Sequence, residues 1–389
     1  MIAPLLAVGL AAAAFVGYNV GGSTTGPAFG PAVGSNVLSK VGAAALMSIF
    51  FFAGAWTVGR RVVTTLGTGL STRPGVFTAE TSIVVLLFVG LALFVGNYAG
   101  VPASTSMTAV GAIAGLNVAA GTLNWETMGE IAVWWIVAPV LGFWVSGVVG
   151  RYLYPTIRRW VAVTSSEGAL LELDRSGTLP RPAPGPNTTR REAVGAGVVV
   201  GIGCLMAFSS GTSNIANAIA PLYGAGIAMN PLILLGCGAV AVGAFTIARR
   251  TLDTLGNDIT DLPLPAAIVV AVVSSVIVTA LSAIGVPASF VIVATMSIVG
   301  LGWGRATRSV TVSETVTGKD QPSVSVGALA ADPDEPAPDI GEPEEVPAAS
   351  DLFDPQTTAR VVLMQNVVPV LSTAGAYAAF RALFALSLV

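Results

Sequence analysis

Histidine is absent from this chain, cysteine occurs only twice, and charged residues make up 10% of its 389 positions. Each shortage excludes something. Without histidine there is no imidazole triad, no histidine-ligated zinc and no imidazole proton relay. Cys204 and Cys237 stand singly inside apolar stretches, so they read as packing residues and say nothing about redox compartment. A soluble protein has about a quarter of its residues charged. This chain is 53% hydrophobic and lacks the polar surface to face water. Its apolar regions also lack any acid–base or nucleophile pair, so an enzyme is not expected.

What is present are apolar runs close to the length of about 20 residues that crosses a bilayer. They cover Ile2–Gly17, Ala43–Gly59, Ser82–Ala99 and Ile131–Tyr152, then Ala193–Phe208, Pro231–Ala248, Ala266–Ile284 and Val361–Val389. The first run lacks the basic leader of a signal peptide and is expected to be a retained span. Between the runs lie small-residue segments, Ser23–Ser35, Ser104–Asn117, Thr212–Met229 and Ser289–Leu301, which read as broken helices. Two polar stretches interrupt the pattern. The first, from Arg151 to Arg191, holds seven arginines; the second is rich in proline and acid, with nine carboxylates from Asp332 to Asp354 and no basic residue among them. The second cannot bury enough apolar surface to order itself.

The two halves repeat each other. RVVTTLGTGL at Arg61 answers RTLDTLGNDI at Arg250, 189 positions on, and GVPAS ends at Ser104 and again at Ser289, 185 positions on. A small-residue segment precedes each arginine word: GYNVGGSTTGPAFGPAVGS in one half, SSGTSNIANAIAPLYGAG in the other. Orientation follows from basic loops, which stay cytoplasmic. Arg60, Arg61 and Arg73 have almost no acidic company, and the central arginine loop reads as cytoplasmic too. Five crossings per half, an odd number, invert the second half and put both chain ends outside. The expected fold is an all-α polytopic membrane protein of two inverted-topology repeats with half-helices at their interface. The expected divisions are residues 1–156, a cytoplasmic loop over 157–191, the second repeat over 192–302, an acidic loop over 303–358, and a last helix over 359–389.

Irregular backbone at membrane depth persists only where protein buries it or where it lines a wet cavity. Inverted repeats with discontinuous helices are the architecture of secondary transporters. GVPAS suits the start of such a half-helix: proline tolerates the first turn, and Ser104 or Ser289 can cap free amides. Such an end attracts anions through its N–H groups and dipole, and Ser104, Thr105 and Ser106 add hydroxyls. A single small-residue word more often marks helix packing, which is the reading kept for Gly26–Gly30.

At these residues the chain resembles the inorganic phosphate transporter (PiT) family. GTSNIANAIAPL, Gly211–Leu222, is similar to that family's second-half motif, with Asn217, Ala218 and Pro221 matching directly; Gly17-Tyr18-Asn19 matches the start of the first-half motif. The resemblance implies an inverted-repeat fold and cation-coupled phosphate transport across the plasma membrane. It places the substrate at Ser104, Thr105, Ser106, Ser289, Ser23, Ser213 and Asn217, and a coupling ion, sodium or a proton, at Asn19 and Asn214. No other cofactor and no metal are expected. The expected partners are inorganic phosphate or a similar oxyanion and the lipid bilayer, with no nucleic acid and a homodimer as the candidate assembly. The chain departs from the family where its motif aspartates fall at Val20 and Asn214, and where its motif histidine falls at Met107. Sulfate transport and a non-transporting sensor are the alternatives. In a background lacking Cys204 and Cys237, cysteines at Ser165 and near the C-terminus should be labelled from opposite sides of the membrane. Labelling of both from one side would overturn the odd count of crossings.

Overall fold

The architecture was analysed in a computed structural model that describes residues 2–35, 37–98, 104–161, 171–174, 181–184, 190–258, 264–307 and 355–386. Each half contributes five helical elements in the same order. The first half has α1 (Ile2–Gly34) and then a rod made of α2 (Lys40–Gly54), a π turn, α3 (Arg60–Thr64) and a second π turn ending at Gly69. It continues with α4 (Ala79–Tyr98), α5 (Thr105–Ala120) and α6 (Trp125–Val148), the last prolonged through a π turn into α7 (Tyr154–Val161). The second half has α8 (Arg190–Gly224), α9 (Met229–Asp258), α10 (Leu264–Ala283), α11 (Phe290–Ala306) and α12 (Pro355–Ala385). Among the described residues, seven helical stretches are long and apolar enough to cross a membrane, whereas α5 and α11 are shorter. At 1.5 Å per residue the 16 residues of α5 span about 24 Å, less than the hydrocarbon core of about 30 Å.

Glycine contacts fix how these helices run. Gly9 on α1 meets Leu222 on α8, and Gly203 on α8 meets Phe29 on α1, so the first helices of the two halves are antiparallel. Gly21 and Gly243 bring α1 and α9 together backbone to backbone, running in parallel, and Gly54 and Gly211 do the same for the α2–α3 rod and α8. Likewise α6 runs parallel to α11 through Gly142, Gly147, Gly300 and Gly304. Ser372 on α12 donates to the Thr108 carbonyl on α5 at 3.2 Å, and Gly115 meets Ala376 further along, so this pair is parallel too. Apart from α4 and α10, which pack mainly on the first helix of their own half, each helix thus has its main partner in the other half, and the partnership recurs with the halves exchanged. Opposed directions of matching helices are what inverted repeats require.

Where a half-helix was expected, the GVPAS words do start helices. Ser104 caps α5, its Oγ accepting from Met107 N at 3.3 Å, and Ser289 caps α11, accepting from Ile292 N at 3.4 Å. At its other end α5 closes on Gly121, whose φ of 68° suits glycine. There Leu123 bridges to Ser71 beside the end of the rod, returning α5 to the side from which α4 sets out.

Two other expected breaks are absent. Ser23–Ser35 and Thr212–Met229 were read as broken, yet α1 runs unbroken to Gly34 through Pro27 and Pro31, and α8 runs to Gly224 through Pro221. Each proline removes the N–H that would reach the carbonyl four residues back, of Ser23, Pro27 or Asn217, and both helices continue through that loss. The all-α expectation also needs one amendment: the arginine-rich loop contains a short antiparallel hairpin, Leu171–Asp174 with Arg181–Pro184. The first GVPAS word before Ser104 and nearly all of the acidic loop lie outside the described residues.

The arginine word serves the packing. Arg60 donates to Asn230 Oδ1 at 2.6 Å and lies over the Trp56 ring, while Arg61 donates to the Ala283 carbonyl at the C-terminal end of α10, where a cation is favoured. A test of the glycine seams lies within α9. A Cβ at Gly243 would come to 2.1 Å from the Tyr18 carbonyl oxygen, whereas one at Gly238 meets nothing within 4 Å. Gly243→Ala is expected to destabilise the detergent-solubilised protein by about 1–3 kcal/mol of overpacking, and Gly238→Ala to leave its melting temperature unchanged.

Candidate functional site

Two helix N-termini meet on the polar face of α8. That face carries Ser209, Ser210, Thr212, Ser213, Asn214 and Asn217, all buried. The spacing of three and four residues puts Ser210, Ser213, Asn214 and Asn217 on one side of the helix. Ser213 lies midway along α8 between its two contacts with α1, so the site sits at the level of the middle of α1.

The first turn of α5 approaches from one direction. Thr105 Oγ1 donates to Asn214 Oδ1 at 2.6 Å, and Ser106 Oγ donates to the same oxygen at 3.4 Å. The Ser106 and Ser213 hydroxyls are 3.1 Å apart. From the other direction comes the turn before α11, where Ser213 Oγ donates to the Ala288 carbonyl at 2.9 Å. The chain Ser106–Ser213–Ala288 therefore links the first turn of α5 to the turn before α11 through one serine. Behind it, Asn214 Nδ2 donates to Ser210 Oγ at 2.9 Å and Asn217 Nδ2 donates to Asn214 Oδ1 at 3.2 Å. Thr212 ties the same face to α10 by donating to Ser282 Oγ at 3.1 Å.

Electrostatically the site is neutral but not indifferent. Two helices begin there, and each N-terminus presents unpaired N–H groups with about half a positive charge. The acceptors are Asn214 Oδ1, the Ala288 carbonyl and Asn217 Oδ1, the last buried without a hydrogen-bond partner. Among the described residues no group of carboxylates, cysteines or histidines could hold a metal ion. A monovalent cation would have only these neutral oxygens. The hydroxyls at present satisfy one another, so a ligand must displace at least the Ser106–Ser213 and Ser213–Ala288 bonds.

Seven of the nine residues expected at the site converge here: Ser104, Thr105, Ser106, Ser213, Asn214, Asn217 and Ser289. Ser104 and Ser289 accept as caps, so their oxygens hold the helix starts in place. Ser23 is not joined to the cluster: its hydroxyl donates back to the Val20 carbonyl on α1 at 3.1 Å. Asn19 is fully buried in α1 near the level of Thr212, with its Nδ2 donating to the Phe15 carbonyl at 2.9 Å. Sequence reasoning missed Ser210, which its place four residues before Asn214 would have revealed. It also missed the Ala288 carbonyl and Trp135, which no local pattern marks.

A cavity lies away from this cluster. It has about 520 Å³, runs between α5, α6 and α12, and is lined by apolar groups such as Gly111, Val118, Val370 and Tyr377. The lining is predominantly apolar, with Thr373, Tyr377 and Trp135 its only residues that carry a side-chain donor. A second cavity of only about 10 Å³ adjoins Ser289, and Met107 and Trp135 border both. That volume is about the least that holds one water.

Comparison with known proteins bears on the family and the fold. The chain is 28% identical over 296 residues to the sulfate permease CysP of Bacillus subtilis, covering 75% of each protein. It is 24% identical to a protein classed as a phosphate permease from Chlamydia trachomatis, covering 76% of this chain and 89% of that one. Among solved structures, a sodium-dependent phosphate transporter superposes with a TM-score of 0.68 at 17% identity, over 99% of this chain and 100% of that one, and so shares the fold. The profile of the phosphate transporter family matches residues 20–319, most of the membrane region. With two opposed helix starts meeting on a serine- and asparagine-lined helix at mid-depth, this chain is a multi-pass membrane protein and belongs to the phosphate transporter family.

Proposed function

We propose that the protein is a secondary transporter that carries inorganic phosphate across the plasma membrane, with a cation as its coupling partner. The observation that carries this reading is the chain Ser106–Ser213–Ala288, which holds two helix N-termini face to face at mid-depth. Such an arrangement supplies hydroxyls, backbone amides and two dipoles to an anion without a formal charge. The antiparallel α1 and α8 and the exchanged helix partnerships support two inverted repeats that rock about this site. The family, the phosphate permeases among its relatives and the fold shared with a sodium-dependent transporter support phosphate and a cation.

A second reading, sulfate, is favoured by one observation: no carboxylate lies in the cluster. Phosphate at neutral pH keeps a proton to donate and gains from a carboxylate acceptor, whereas sulfate has none to give. The sulfate permease among the relatives points the same way. Uptake of labelled phosphate and sulfate into proteoliposomes, with and without a sodium gradient, separates the readings. Phosphate flux that rises with the gradient is the expected result. Binding without flux would turn the protein into a sensor.

Ser213 is the most sensitive position. Ser213→Ala removes both bonds of the central link and is expected to weaken anion affinity by about 1.5–3 kcal/mol, the value of a hydrogen bond to a charged group. Ser104→Ala removes only a cap and is expected to cost about 1 kcal/mol of stability. Equal apparent affinities of the native protein and Ser213→Ala in uptake assays would move the cluster back to packing.

Asn214→Asp tests the role of the missing carboxylate. Three donors, from Thr105, Ser106 and Asn217, already point at Asn214 Oδ1 and would stabilise a carboxylate in its place. In the native chain a cation sees only neutral oxygens and the anion's own charge, so sodium should bind weakly unless phosphate is present. In Asn214→Asp, sodium is expected to bind alone, and phosphate to be preferred over sulfate more strongly. Sodium titration of both proteins with and without phosphate checks this; tight sodium binding by the native chain alone would overturn it.

A further inference from the structure

The turn before α11 is held from two sides. On one side Ser213 donates to the Ala288 carbonyl at 2.9 Å. On the other, the indole N–H of Trp135, halfway along α6, donates to the preceding carbonyl, Pro287, at 2.9 Å. The peptides are all trans among the described residues, so the Ala288 N–H points opposite to the Pro287 C=O in the same plane. It therefore points away from Trp135. Among the described residues this N–H has no acceptor, although Ala288 is only 3% exposed. Buried backbone donors are rarely left unpaired. The next polar groups along the chain are the Ser289 cap and the first turn of α11, which belong to the oxyanion site.

We propose that Trp135 is a positioning residue for the oxyanion: by fixing the Pro287 carbonyl on the α6 side, it aims the Ala288 N–H at the bound anion. The proposal rests on the transport reading of the Ser106–Ser213–Ala288 site and adds to it a residue from the first half. Released from the indole, the Pro287–Ala288 peptide can turn over. Its carbonyl oxygen would then face the anion and repel it, while the N–H would be withdrawn. The same side chain, with Met107, walls the 10 Å³ cavity beside Ser289. A backbone N–H donates equally to phosphate and to sulfate. Its loss must therefore weaken both anions alike and leave the preference between them unaltered, unlike a change at Asn214.

The test is Trp135→Phe in the full chain, with phosphate and sulfate binding measured by calorimetry on the purified protein and transport measured in proteoliposomes. The expected result is a rise in Kd and in transport KM of about tenfold or more for both anions, as for loss of a hydrogen bond to a charged group. Maximal rate should be unchanged. Where the phenylalanine variant does not fold, benzothienylalanine at position 135 keeps the shape of the indole and replaces its N–H by sulfur; the same rise is expected. Native affinity in either folded variant, or a lowered maximal rate at unchanged KM, would overturn the role of Trp135. Failure of the native protein to bind either anion would instead overturn the transport reading beneath it.

Discussion

Hydrocarbon offers no hydrogen bonds to a protein backbone, and that constraint governs this molecule. A helix that begins at mid-depth leaves several N–H groups that neither water nor lipid can satisfy. Here two helices do so, α5 after Ser104 and α11 after Ser289. Their starts are tolerated because they face each other across α8, a helix otherwise as apolar as its neighbours but lined on one side with serine, threonine and asparagine. The hydroxyls cap, bridge and accept. What remains unpaired, including Asn217 Oδ1 and the Ala288 N–H, is what a ligand can use. Site and fold are thus answers to one demand.

The glycine seams explain why the site can be so enclosed. Along α1 with α9, along the α2–α3 rod with α8, and along α6 with α11, backbones approach until a single Cβ would overlap a carbonyl oxygen. Such seams are bought with glycine's freedom in the unfolded chain and leave little play between the paired helices. Relative movement must occur where contact is looser. The apolar cavity between α5, α6 and α12 is such a place, since it borders Met107 and Trp135 at one end and runs beside α5 towards Val118. Movement there must carry α5 and α12 together, since Gly115 on α5 lies close against the Thr373 carbonyl oxygen on α12.

Much of this was legible in the sequence, for physical reasons. Composition gave the membrane, and the recurrence of GVPAS gave two capped helix starts, because proline followed by serine has few other uses at that depth. The polar residues of α8 were legible through their spacing, and through the resemblance carried by Asn217, Ala218 and Pro221. Proline misled where it stood alone. Pro27, Pro31 and Pro221 read as breaks, yet the helices continue through them, because one missing i−4 bond does not end a helix whose packing on both sides is kept. Ser23 was expected at the site but turns to its own helix, because its orientation depends on a packing angle that no local pattern contains. Trp135 could not be found at all: its meaning comes from a carbonyl 152 positions away.

The neutrality of the site has a consequence for coupling. In a transporter with a buried carboxylate, the cation can be held by the protein and wait for the anion. Here the cluster around Ser213 has amide, hydroxyl and carbonyl oxygens only. A cation entering alone would lose most of its hydration without a counter-charge, which costs several kcal/mol even after relaxation. An anion entering alone is better served, because two helix dipoles favour it. Once it is bound, its own charge becomes the counter-charge for the cation at distances where a low dielectric makes the attraction strong. Under the proposed function, binding order would then follow from the residues themselves, anion first and cation second. The two ions would be coupled through their mutual attraction inside a neutral cage, with no titrating side chain as intermediary.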